Sequence, residues 1–377
     1  MPLSRRSFLQ LTATGALASS LRADDAPLDP ASAKPDASGA ILFYDALQLT
    51  REGNGWADTK APYDRFPAKA EGVVPAAVWG LSRQSAGLCV RFVTDATALH
   101  ARWTLTSANL ALPHMPATGV SGLDLYVRGD RQWHWLGGGR PTAQTSAGAL
   151  GSGLPDGKRE FMMYLPLYNG VTSVEVGIPK AAKLWKAPPR PRERQKPIIF
   201  YGTSITQGGC ASRPGMVHTA ILGRRFDWHV MNLGFSGNGR MDPEVVKLIA
   251  EIDAAVYVID CLPNMDAKAV AERTEPLVQT LRAARATTPI LLVEDRTYQN
   301  AYVLPGPRQR NNESRAAFRK AYDKLIADGV KRLHYLEGEN LLGSDGEATV
   351  DSSHPTDLGF VRQADAMEKA LRPLLMK

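Results

Sequence analysis

The apolar residues of this chain change their period once, near residue 190, and that change dictates its architecture. From about residue 39 to 187 they alternate. Leu88, Val90 and Phe92 interleave with Cys89, Arg91 and Val93, and Val174, Val176 and Ile178 flank Glu175 and Gly177. A period of two places alternate side chains on one face of a sheet. Glycine- and proline-rich turns such as Gly137-Gly-Gly139 and Leu154-Pro-Asp-Gly157 separate the runs. Convincing helical segments are nearly absent. Residues 39–187 are therefore expected to form an antiparallel β-sandwich of jelly-roll type.

Residues 188–196, proline-broken and charged, read as a linker, and from Lys196 the pattern becomes an alternation of strands and helices. Short apolar strands are expected at 197–200, 228–233, 254–259, 289–293 and 332–336. Helices are expected at 214–222, 243–250, 266–284, 314–327 and 356–371, with Asp266 as a cap. This alternation predicts an α/β domain over 197–377: three layers, a central parallel sheet and right-handed crossovers. In such sheets, sites form at the carboxyl ends of the strands.

Composition narrows the function. The 377 residues, 44% hydrophobic and 22% charged, suit a globular chain with material for two domains. Three cysteines cannot build a disulfide framework, and seven scattered histidines form no evident metal cluster. No Lys/Arg block interleaves with aromatics, so nucleic acid is not an expected partner.

The opening Ser4-Arg5-Arg6-Ser7-Phe8-Leu9, followed by a short Ala/Ser/Thr-rich apolar run to Leu21, resembles a twin-arginine signal peptide. Residues 1–23 are then an export address, with cleavage after Ala23 and delivery to the periplasm or beyond. Losing Arg5, Arg6 and Arg22 lowers the formal charge from +7 to +4. The run falls well short of the roughly 20 apolar residues of a membrane span, so no stable insertion is expected. Residues 24–38, rich in Ala, Pro, Asp and Ser, are expected to be loose.

The chemistry gathers where the strands end. The first ends in Tyr201-Gly-Thr-Ser-Ile-Thr-Gln-Gly-Gly209, where Ser204 can project from a strand-to-loop turn beside backbone amides. This segment is neither a phosphate loop, a dinucleotide fingerprint nor a Gly-x-Ser-x-Gly elbow. The second strand ends in Asn232-Leu-Gly-Phe-Ser-Gly-Asn-Gly239 and the third in Asp260-Cys-Leu-Pro-Asn264. Beyond the last strand comes Asp351-Ser-Ser-His-Pro355. Its turn can bring Asp351 to one nitrogen of His354, leaving the other for a serine.

These four blocks, in this order, resemble the SGNH hydrolases, the GDSL-like esterase superfamily, whose catalytic domain is flavodoxin-like. Cys210-Ala-Ser-Arg-Pro-Gly215 and Gly122-Leu-Asp-Leu-Tyr126 further resemble a bacterial subgroup with an N-terminal Gly-x-Asp-Leu-Tyr β-domain. The resemblance implies Ser204 as nucleophile, His354 as general base and acid, and Asp351 as its orienting partner. It implies an oxyanion hole from Ser204, Gly237 and Asn264, with Gly239 the rival to Gly237, and no metal or organic cofactor. The third block departs from the usual Gly-x-Asn-Asp, which reshapes the loop around Asn264.

Arg213 could anchor a sugar hydroxyl or acid, or pair with a carboxylate to hold its loop. Arg296, Tyr298 and Asn300 could line the cleft or pack their loop. Trp103, Trp133, Trp135 and Tyr126 could stack on sugars or fill the core. Export, polar loops and a leading β-domain point to an O-acetylated carbohydrate as substrate. The alternatives are an acylhydrolase of lipid, peptidoglycan or other small esters, and a non-catalytic carbohydrate-binding protein.

Overall fold

The computed structural model describes residues 26–376, so the expected signal peptide lies outside the described residues. Eleven strands occupy the first half: β1 (Lys34–Pro35), β2 (Ile41–Asp45), β3 (Thr50–Glu52), β4 (Cys89–Thr94), β5 (Ala98–Leu105), β6 (Leu123–Arg128), β7 (Trp133–Gly139), β8 (Thr145–Ser152), β9 (Arg159–Tyr164), β10 (Val171–Pro179) and β11 (Leu184–Lys186). They form two antiparallel sheets, ordered β1-β2-β10-β5-β8 and β11-β4-β9-β6-β7, with β3 added to β4. Leu88, Val90, Phe92, Trp103, Leu125, Val174 and Val176 fill the space between the sheets, as their alternation predicts.

The second half holds β12 (Ile198–Gly202), β13 (Val230–Gly234), β14 (Val256–Asp260), β15 (Ile290–Val293) and β16 (Leu333–Leu336). They build one all-parallel sheet in the order β13-β12-β14-β15-β16. This is the expected three-layer α/β fold behind a β-sandwich. One face carries residues of helices Pro243–Glu251, Ala267–Ala284 and Pro305–Ala327; the other carries those of His218–Phe226 and Asp357–Leu375. Asp266 caps its helix, accepting from the Ala269 amide at 2.8 Å.

Several expectations need correction. Residues 26–38 are held rather than loose: Lys34 and Pro35 pair with Phe43 and Leu42, and the Leu28 amide donates to Leu184 at 2.7 Å. Their composition is that of a disordered segment, but an open sheet edge supplies the backbone partners the segment lacks. The linker is a brace. Arg190 is buried and donates to Glu52 of the sandwich (2.8 Å) and to Asp227 of the α/β domain (3.0 Å). Burial alone would raise the Glu52 carboxyl, but Arg190 and Arg91 overcome it and hold it at about 2.

The first half also contributes a layer to the second. Phe66, Ala70, Val74 and Val78, the last in helix Ala76–Ser82, pack against Ile199, Leu233 and Val245. The Arg65 guanidinium is buried among backbone carbonyls, donating to Gly234 (2.7 Å) and Asn232 (3.1 Å). The sandwich sheet nearer the α/β domain is covered on both sides: Cys89, Tyr126, Met162 and Tyr164 pack on Ala220. That explains why all six residues of β4 are buried, although a single-sided sheet would expose every second one.

Candidate active site

Ser204 opens the single-turn helix Ser204–Gln207 directly beyond β12, with Thr203 as its cap. Its carbonyl accepts from the amides of Gly208 (2.9 Å) and Gly209 (2.7 Å) and from the Tyr168 hydroxyl (3.1 Å). Three donors on one carbonyl fix the turn, and Ser204 is left 7% exposed. Ser204 Oγ lies 2.7 Å from His354 Nε2, and His354 Nδ1 lies 2.7 Å from Asp351 Oδ2. The three groups thus form one continuous hydrogen-bonded line.

The His354 turn is built for this alignment. Asp351 Oδ1 accepts from the amides of His354 (2.8 Å) and Ser353 (3.1 Å), and the Val350 amide donates to the His354 carbonyl (2.9 Å). Ser352 takes a left-handed φ of 78° to close the loop. Partial burial raises the Asp351 carboxyl, but the bonds from the His354 amide and ring outweigh it, so it sits below its ordinary range. An ionised Asp351 holds the proton on Nδ1 and leaves Nε2 as the acceptor facing Ser204.

Gly237 and Asn264 stand on the two neighbouring strand ends. Gly237 is exposed in a turn with a left-handed φ of 69°, which favours glycine. The rival Gly239 is buried, and its amide is spent on Asn264 Oδ1 at 3.2 Å. That bond holds the oxygen of the Asn264 amide and leaves its NH₂ as the free donor. A side chain at Gly239 would come within 2.2 Å of the Gly202 carbonyl, so the loop beyond β13 lies directly on the end of β12.

The reshaped third block has an unexpected support. The helix predicted at 314–327 begins nine residues earlier, at Pro305, and carries Arg310 to the site. Arg310 donates to the carbonyls on either side of Asn264, Pro263 at 2.8 Å and Met265 at 3.4 Å. It also pairs with buried Asp295 at 3.1 Å and donates to the Tyr298 hydroxyl. Burial, reinforced by the charge of Asp295, pushes the Tyr298 hydroxyl up to about 12, so it stays protonated.

Two residues read either as substrate contacts or as loop supports are held by carboxylates. Arg296 is 1% exposed and forks onto both oxygens of Asp260, at 2.6 and 2.5 Å. A polar residue after a strand reads as cleft lining, but here a buried carboxylate faces it. Arg213 donates to Asp124 at 2.8 Å and to the Tyr126 hydroxyl at 2.5 Å, clasping the Gly-x-Asp-Leu-Tyr segment. Trp103, Trp133 and Tyr126 are buried, whereas Trp135 is 53% exposed with the Arg213 guanidinium 5.1 Å from its ring. Cys210 sits beside the site, but burial, aided by the charge of Asp351, raises its thiol to about 12. The protonated thiol is the favoured form at neutral pH. Tyr168 and Arg310 were not signalled in the sequence, because each reaches the site from an element remote in the chain.

Both halves of the chain match known protein families. Residues 195–372 match the GDSL-like Lipase/Acylhydrolase family, and residues 41–184 match the GxDLY family, the N-terminus of SGNH-hydrolase-type esterases. A Bacteroides ovatus protein designated GDSL-like lipase is 33% identical, covering 89% of this chain and 98% of that one at a TM-score of 0.84. The salicylyl-acyltransferase SsfX3 of a tetracycline biosynthetic pathway is 21% identical over 87% of this chain and 95% of its own, at a TM-score of 0.69. A family two carbohydrate esterase from Clostridium thermocellum, solved with cellohexaose, is 16% identical over 77% and 93%, at 0.57. The latter two share the fold. No curated protein sequence matches the chain. With both halves matched and a full-length relative at one-third identity, the chain belongs to the GDSL-like lipase/acylhydrolase family of SGNH hydrolases and carries its N-terminal GxDLY domain.

Proposed function

We propose that this protein is an exported serine esterase that removes O-acetyl groups from carbohydrates. The observation that carries the chemistry is the line from Ser204 Oγ through both nitrogens of His354 to Asp351, each step 2.7 Å. His354 Nε2 takes the Ser204 proton as Oγ attacks the ester carbonyl carbon. The oxygen of that carbonyl becomes an oxyanion, received by the Ser204 and Gly237 amides and the Asn264 NH₂. As the intermediate collapses, the C–O bond to the alcohol breaks and His354 gives its proton to the leaving oxygen. Water, giving a proton to His354, then attacks the acyl carbon; the bond from that carbon to Ser204 Oγ breaks, acetate leaves, and His354 returns the proton to Oγ.

The carbohydrate assignment draws on the polar loops beyond each strand, the leading β-domain and the fold shared with carbohydrate esterases. Export rests on the Arg5-Arg6 pattern. Among the described residues no helix is long and apolar enough to cross a membrane. A second reading, hydrolysis of longer acyl esters, draws on one observation. Tyr302, Val303 and Leu304 are exposed, and their segment is tied to the His354 loop by the Gln299 amide bonding Ser352 at 3.0 Å. Such an apolar rim suits an alkyl chain.

The test has two parts. A fluorophosphonate should label the protein at Ser204, as mapped on peptides, and Ser204→Ala should remain unlabelled. Acetate release should then be measured across acetylated oligosaccharides. Labelling elsewhere refutes the nucleophile, and labelling at Ser204 without acetate from any sugar moves the function to the second reading.

A further inference from the structure

The sandwich domain reaches the catalytic histidine. The connection between β5 and β6 runs over residues 106–122 and folds at Leu112 and Met115, whose backbones exchange bonds of 3.1 and 3.0 Å. His114 stands in the two-residue turn between them. Its ring centroid is 6.1 Å from that of His354, with 46° between the ring planes. His114 is exposed, and His354 keeps 26% of its side chain open.

The turn is not a loose flap. Met115 is buried with Cys210 and Ala211, and Thr118 donates to the Ser212 carbonyl at 2.6 Å. A methyl at Gly119 would fall 2.2 Å from the Ala211 carbonyl, so the two backbones are in direct contact. Beyond the turn, the Tyr168 amide binds Val120 at 3.1 Å while its hydroxyl holds Ser204. Serine, catalytic histidine and His114 are thereby fixed in one frame assembled from both domains.

The mechanism defines what lies at this spot. The leaving oxygen receives its proton from His354 Nε2, so the departing alcohol must lie against the His354 ring. We infer that His114 is a leaving-group recognition residue, hydrogen-bonding a hydroxyl adjacent to the ester on a polyhydroxylated alcohol. An imidazole ring nitrogen can donate to or accept from one such hydroxyl. An alcohol without hydroxyls gains nothing from it. This rests on the serine-esterase reading above and deepens its substrate side.

The experiment compares kcat/KM for an acetylated sugar with kcat/KM for 4-nitrophenyl acetate, whose leaving group has no neighbouring hydroxyl. The readout is the ratio of the two. His114→Ala should lower this ratio roughly five- to tenfold, as expected for one lost hydrogen bond. His114→Gln, which keeps a donor and an acceptor, should restore part of it; His114→Phe, which keeps only the ring, should not. An unchanged ratio, or restoration by Phe, overturns the inference while leaving the esterase intact. Hydrolysis of nitrophenyl acetate without any sugar acetate, in the unmodified protein, instead overturns the carbohydrate reading and this inference with it.

Discussion

Replacing Arg310 with alanine tests whether the oxyanion site depends on a residue that never meets the substrate. Its guanidinium bonds the carbonyls on both sides of Asn264, at 2.8 and 3.4 Å. A hydrogen bond to a charged group is worth about 1.5–3 kcal/mol. If that energy is used to hold the Asn264 NH₂ at the oxyanion, its loss lowers kcat roughly 10- to 150-fold. The ceiling is the full worth of an oxyanion donor, about 2.7–4 kcal/mol or roughly 10²–10³ in rate. KM should barely change, because the oxyanion exists only beyond the ground state. Arg310→Lys should recover part of the rate, since an ammonium keeps the charge but cannot span both carbonyls. The decisive assay is a double-mutant cycle with Asn264→Ala, measured as single-turnover acylation by 4-nitrophenyl acetate. If Arg310 acts through Asn264, removing it from the Asn264→Ala protein should cost nothing further. Additive losses, or a rise in KM equal to the fall in kcat/KM, would falsify the positioning role.

His354→Ala should lower kcat by about 10⁶ and Asp351→Asn by less than about 10⁴; Asp351 is 45% exposed, so water can replace part of its bond to the ring. Near-normal turnover by either variant at neutral pH would end the Ser-His-Asp assignment. His218 is fully buried between Phe200 and Phe360 with neither ring nitrogen hydrogen-bonded, and burial holds its pKa well below 6.5. The unfolded chain therefore binds the proton first, and stability contributed by neutral His218 falls by about 1.4 kcal/mol per pH unit as pH drops below 6.5. His218→Phe should flatten that part of the urea-unfolding profile between pH 7.5 and 5.5, and an unchanged slope would disprove it. Along an ester series of rising chain length, kcat/KM should be highest for acetyl; an optimum at eight carbons or beyond would make the Tyr302–Leu304 rim an acyl-binding surface.

The sequence revealed those parts of this molecule that depend on local pattern. The five parallel strands appear within about two residues of their expected positions, because each is a short apolar run between a helix and a loop. Ser204, Asp351 and His354 stand out since their positions follow from strand ends and from a three-residue spacing. Partners distant in sequence were hidden. For Arg213 and Arg296 the sequence left open cleft lining or loop support, and could not name the partners that decide it: Asp124, 89 residues away, and Asp260, 36 away. The first turns of helix Pro305–Ala327 are Pro, Gly, Arg, Gln and Asn, with no apolar stripe to betray them. Propensity could not extend the helix to Arg310, yet a proline at its first position is a sound start signal.

The contacts between the halves bear on why a β-sandwich accompanies an α/β domain in which Ser204, His354 and Asp351 are already aligned. Asp124, with no exposed surface, is the centre of the contact: it accepts from Arg213, from the Gly215 amide at 2.7 Å and from Trp135 at 2.7 Å. Burial alone raises its carboxyl, and the Arg213 charge opposes that rise. The aspartate and tyrosine of the Gly-x-Asp-Leu-Tyr segment thus pin the 210–215 loop, whose other side carries Ser212 bound to Thr118 and to Asp357 (2.9 Å). Asp357 begins the helix that follows His354. The chain of bonds runs from the sandwich, through this loop, to the base of the His354 turn, while Tyr168 reaches Ser204 directly. Removing a buried acceptor with three donors leaves the Arg213 charge without its carboxylate and the Gly215 amide without its acceptor. Asp124→Ala should therefore loosen the site as well as the domain contact, lowering kcat and melting temperature together. A lower melting temperature with kcat untouched would show the Asp124 contact to be passive toward the site, leaving Tyr168 and His114 as the sandwich residues that reach it.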